Sequence, residues 1–102
     1  MDKKTIWFGQ AFCTVEKNRS EYASGHRSAL FVFCCCAPSL IDCVAMIAEE
    51  SAENNLCLRG FEYIMQKDYM DRELSPYELQ LENQVHIYPT QFKNVHFALP
   101  DT

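Results

Sequence analysis

The run Ala29-Leu30-Phe31-Val32-Phe33-Cys34-Cys35-Cys36 carries no polar residue at any position. Successive side chains in a strand point to opposite faces, so a strand apolar on both parities needs cover on both sides. The run therefore predicts an interior strand. With 102 residues in all, the chain has one modest core and few elements to provide that cover, and we read residues 1–102 as a single α+β domain. The unbroken apolar stretch, Ala29 to Pro38, is about half of what a membrane span needs. At the amino terminus Gly9 and Gln10 cut the apolar residues after Lys3-Lys4 short of a signal-peptide core. Both observations lead us to expect a soluble, cytoplasmic protein.

The clearest helix follows the run. Ser39 is placed to cap it, Asp42 stands at its third position, and Asn54-Asn55 stops it, predicting one main amphipathic helix over about 39–55. Leu40, Ile41, Cys43, Val44, Ile47, Ala48 and Ala52 fall on one broad face, and Asp42, Glu49, Glu50 and Glu53 on the other. Thr5–Val15 is rich in β-branched and aromatic residues and reads as a strand. Residues 56–66 read as another, in which the apolar parity switches between Leu58 and Phe61 with Gly60 between them, the signature of a bulge. Strand, helix and strand then make a right-handed crossover with 29–36 parallel to 56–66. Ser75-Pro76-Tyr77-Glu78 is a second capping box, opening a short helix over about 76–83, after which the alternation of Val85 and Ile87 suggests a strand. Phe92 to Leu99 gives a last strand. The expected fold is a mixed sheet of four to five strands, with the main helix on one face. Residues 16–27 are polar and aperiodic and are expected to form a long loop.

The formal charge is −5, with nine Lys and Arg against fourteen Asp and Glu. Residues 1–28 hold five basic and three acidic groups, residues 29–102 four basic and eleven acidic ones. A negative field without a basic stripe disfavours nucleic acid and makes a basic protein surface the easier partner. Cys13, Cys34, Cys35, Cys36, Cys43 and Cys57 form no C-x-x-C and no zinc-finger spacing, and three adjacent cysteines cannot readily pair with one another. They are expected to be reduced and to behave as small buried apolar side chains.

Motifs for chemistry are sparse. Cys36 lies just before a helix start, where a thiolate gains from the positive end, but the residue six further on is Asp42 rather than the arginine of a cysteine phosphatase. His86 and His96 with Asp68 or Asp71 offer donors for a metal without a recognised spacing. We therefore expect no catalytic residue, no metal, no cofactor and, on balance, no enzyme. Arg19, His26 and Arg27 in the long loop are candidates to clamp an anionic ligand. Asp42, Met46, Glu49 and Glu53 on the polar helix face are candidates to dock a partner. One helix covers one sheet face, so the doubly apolar strand predicts that the other face is hidden by the shorter helix or by a second copy of the chain. The expected function is a self-associating binding module that blocks a protein partner; the alternative is a small-molecule binder with an aromatic-lined pocket between helix and sheet.

The succession over 28–66 of apolar strand, amphipathic helix and glycine-bearing strand, preceded by an aromatic strand, resembles small orphan α+β proteins. These include products of integron gene cassettes and the immunity partners of bacterial toxins. The second resemblance implies an acidic surface that blocks a basic toxin.

Overall fold

The computed structural model describes residues 5–85 and 90–98; at 92–94 it describes the backbone alone. The elements run β1 (Thr5–Val15), α1 (Ser20–Ala23), β2 (Ser28–Ala37), α2 (Leu40–Glu53), β3 (Leu56–Gln66), a single 3-10 turn at Lys67–Tyr69, α3 (Pro76–Val85) and β4 (Thr90–Ala98). The strands form one sheet in the order β3-β1-β2-β4. Every neighbouring pair is antiparallel, so the sheet is not mixed. β2 and β3 do run in the same direction across the α2 crossover, but β1 lies between them. The fold class is α+β, and β2 is an interior strand.

Parity sorts the side chains. On one face, Trp7, Ala11, Cys13 and Val15 of β1 and Ala29, Phe31, Phe33, Cys35 and Ala37 of β2 are buried against Cys43 and Ile47 of α2. Gly9 shares this face, and the Phe33 ring fills its missing side chain. The register places Gly9 opposite Phe33 on one side and Ile64 on the other. Two buried polar groups are satisfied in this layer. Trp7 Nε1 donates to the Ala37 carbonyl at 3.1 Å, and Ser51 Oγ donates to the Ile47 carbonyl at 2.7 Å.

α2 starts as predicted: the Ser39 side chain accepts from the Asp42 amide at 3.1 Å. Asn55, at φ 58, breaks it off in the left-handed region. The buried line is narrower than the sequence suggests, comprising Cys43, Ile47 and Ser51. Leu40 and Ile41 are exposed, Ile41 at 81%, and so is Ala52. Two residues separate β2 from α2, so the helix opens at the sheet border with Leu40 and Ile41 overhanging and reaches the core at Cys43.

β3 carries two irregularities. Cys13 pairs with Leu58 and Phe12 with Gly60, leaving Arg59 extra; Ala11 pairs with Phe61 and Gln10 with Tyr63, leaving Glu62 extra. The first bulge keeps Phe61 on the face of Leu56 and Leu58, and the second puts Tyr63 and Met65 on the opposite face.

On that opposite face, Phe8 and Cys34 are buried under Leu81 and Val85 of α3, with Ile6, Val32, Cys36, Met70, Leu74 and Tyr77 packed around them. The predicted short helix is real and longer than expected. It runs to Val85, because Tyr77, Leu81 and Val85 follow helical four-residue spacing as well as the alternation that suggests a strand. Ile87 lies outside the described residues, as does Leu99 at the expected end of β4. α3 is anchored by a reciprocal capping box: Ser75 Oγ accepts from the Glu78 amide at 3.1 Å, and Glu78 Oε1 accepts from the Ser75 amide at 2.9 Å. Arg72 donates to both Glu78 oxygens, at 2.5 and 2.8 Å. Between β1 and β2, where the sequence predicts loop throughout, the chain forms one helical turn, α1.

Candidate binding surface on the open half of the sheet

α3 reaches across only part of its face. Beyond it lie Gln10, Phe12 and Thr14 of β1, Ser28 and Leu30 of β2, Cys57, Gly60 and Tyr63 of β3, and His96 and Ala98 of β4, as the strand register requires. Phe12 and Leu30 are neighbours across β1 and β2, both half-buried, and neither belongs to the core under α3. Gly60 lies beside Phe12 on the other side, and a Cβ built there meets no atom within 4 Å. Phe12 therefore rises beside a shallow depression. Tyr63 is 38% exposed, and Arg59 Nε donates to Thr14 Oγ1 at 3.1 Å, holding the arginine at the edge of this half. Among these ten face positions there is no carboxylate, in a chain of net charge −5.

The loop candidates are brought together, and both arginines also bond groups of the fold itself. Arg19 donates to Glu21 at 2.8 Å and to the Asn54 carbonyl, and its guanidinium lies 5.1 Å from the Phe97 ring centre. Arg27 donates to the Tyr22 carbonyl at 2.8 Å and stacks 3.7 Å from the Tyr22 ring centre. His26 meets Phe97 edge-on at 6.2 Å. Arg19 thereby ties the loop to the end of α2, where free carbonyls accept a cation. The Arg19 side chain beside Glu21 holds that carboxyl below its ordinary range.

Asp42, Glu49 and Glu53 are exposed along one flank of α2, and Glu50, partly withdrawn from water beside Glu53 and Glu49, has its carboxyl pushed upward. Met46 is turned toward the core, its Sδ 3.8 Å from Cys35 Sγ. The thiol that meets the start of α2 is Cys35. Cys36, singled out from the sequence, faces the α3 layer, because adjacent strand residues take opposite sides. All six cysteines are free. Burial pushes the Cys34 thiol up to about 12.

His86 lies outside the described residues. His96, Asp68 and Asp71 are exposed, and no three His, Cys, Asp or Glu side chains converge as a metal set among the described residues. A surface groove of about 650 Å³ runs between the 16–18 segment, α2 and the start of β3, lined by Lys17, Asn18, Ala48, Ala52, Leu56 and Leu58 among others, and none of its lining residues is aromatic. No helix among the described residues is long and apolar enough to cross a membrane. No family model, no curated protein and no solved structure matches this chain.

What sequence reasoning missed is which half of the second face stays open. The apolar alternation of β1 and β2 marks the face, but the reach of α3 is a tertiary property with no local signal.

Proposed function

We propose that this chain is a non-enzymatic binding module that pairs with a second copy of itself through the half of the sheet that α3 leaves open. The observation that carries the reading is the adjacent pair Phe12 and Leu30, half-buried beside the bare backbone of Gly60 on the part of the face that α3 does not reach. A second copy is the favoured occupant on grounds of charge. Two acidic chains repel, and the ten positions of this half add no carboxylate of their own to that repulsion, with Glu62 at the bulge and Asp71 beside Tyr63 standing at its border. A two-fold arrangement sets the same apolar centre against itself, with Arg59, Gln10 and His96 at the rim. The six free thiols support a reducing compartment such as the cytoplasm.

The small-molecule reading is less well supported, because the groove beside α2 offers neither an aromatic ring nor an arginine. The smaller cavity that has both, about 280 Å³ between Tyr63, Met65, Met70, Asp71 and Arg72, lies between β3 and the segment after it rather than between a helix and the sheet. Docking of a basic partner has the acidic flank Asp42, Glu49 and Glu53 in its favour, and it leaves the open sheet half unexplained. Sedimentation velocity over a micromolar concentration series tests the proposal. The wild-type chain is expected to show a dimer that dissociates on dilution, and Phe12→Glu and Leu30→Glu to remain monomeric while keeping their circular dichroism. A wild-type chain that stays monomeric throughout, or a dimer that persists in both variants, contradicts it.

A further inference from the structure

We propose that Cys35, Cys43 and Met46 form a binding site for a soft monovalent cation, copper(I), between β2 and α2. Cys35 projects from β2 toward the helix, and Cys43 and Met46 stand three residues apart on the helix side that faces it. Cys35 Sγ lies 3.8 Å from Met46 Sδ, and Cys43, one turn before Met46, is buried in the same layer close enough for the two thiols to act on each other. Both cysteines are fully buried. The two buried thiols thus meet a half-buried thioether at the edge of the core, and Cys34 and Cys36 do not compete for the place, because they point to the other face of the sheet.

The donor set selects the metal. Two thiols and a thioether are soft ligands, which suit copper(I) and ill suit magnesium, calcium or manganese. Two sulfurs each about 2.3 Å from a cation in a trigonal plane stand about 4 Å apart, close to the separation found here. Zinc takes four ligands in a tetrahedron, and the nearest further donor on β4, the Thr90 hydroxyl, lies 3.9 Å from Cys35 Sγ as a neutral oxygen. Binding converts two thiols to thiolates and releases two protons to water, with no electron transferred. The copper–dithiolate unit carries one negative charge, and Cys43 sits in the first turn of α2, its amide bonded to the Ser39 carbonyl at 3.0 Å, at the helix end that favours negative charge.

The test uses the full reduced chain, without oxygen, titrated against copper(I) held by bicinchoninate. One copper per chain is expected to transfer, with a sulfur-to-copper absorption band and an all-sulfur shell in the X-ray absorption spectrum. Met46→Leu, which keeps the core filled, is expected to weaken binding by about tenfold or more, on the scale of changes that disturb a metal's surroundings. Cys43→Ala is expected to abolish transfer, while Cys36→Ala and Cys57→Ala leave it unchanged. Failure of the wild-type chain to take copper overturns the proposal. So does wild-type affinity in Met46→Leu, or loss of binding in Cys36→Ala or Cys57→Ala, which assigns the metal to the half-buried thiols instead.

Discussion

At Gly9 a Cβ would stand 2.5 Å from Phe33 Cζ and 2.6 Å from the Tyr63 carbonyl oxygen, so the two strands flanking β1 converge where a side chain is missing. From the sequence, Gly9 looks like the end of an apolar run; its role depends on the ring of a residue far along the chain. Gly9→Ala is expected to destabilise the fold by about 1–3 kcal/mol, because neither the buried ring nor the β3 backbone can yield cheaply. Thermal melts of the two proteins check this. Glu78 gives a second prediction. Its carboxyl is held at about 2 by the Arg72 guanidinium, against the opposing effect of burial, and by the Ser75 amide and hydroxyl. A carboxyl with a depressed folded-state pKa contributes stability above its unfolded value, and that contribution disappears as pH falls from the ordinary 4.5 toward 2. Arg72 is half exposed, so the contribution is of order 1–2 kcal/mol. Urea titrations of wild type and Glu78→Gln are expected to differ at neutral pH and to converge below pH 4.5.

Among the elements, those with local signals are legible in the sequence alone. The Ser39 and Ser75 starts are written in the hydroxyl and the acid three residues on; the Ser75 box forms with both bonds, and at Ser39 the hydroxyl accepts from the Asp42 amide and itself donates to the Asp42 carboxylate. The first bulge of β3 is visible in the parity switch around Gly60, whereas the second, at Glu62, is not: Phe61, Tyr63 and Met65 share one parity in sequence and lie on different faces in the fold. Less legible is whatever depends on neighbours far away in sequence. Insertion of β1 between β2 and β3 leaves no mark on any of the three strands, and the overhang of Ile41 is set by where α2 crosses the sheet. For α3, Tyr77, Leu81 and Val85 satisfy two periodicities at once, and packing against Phe8 and Cys34 settles the helical one. Ser39→Ala is expected to cost about 1 kcal/mol by removing the acceptor for the Asp42 amide, and chemical denaturation measures it.

For the molecule as a whole, β2 as an interior strand is the organising fact. The apolar run at 29–36 signals it, and α2 and α3 cover one face fully and the other partly. The candidate clamp of Arg19 and Arg27 shows how the fold adds structural roles that residue type does not announce. These arginines read as ligand donors in sequence, and in the fold Arg19 also bonds the end of α2 and Arg27 the Tyr22 carbonyl. The open half of the sheet is the consequence of α3 being too short to shield both Cys34 and Leu30. Methyl NMR spectra recorded through a dilution series test that consequence most directly, since they locate an interface as well as detect one. The Leu30 methyl signals are expected to shift with concentration while those of Leu40 and Ile41, exposed at the far side of the molecule on α2, stay fixed. Movement of the α2 methyls with Leu30 unchanged, or no movement anywhere, contradicts pairing through the open sheet half.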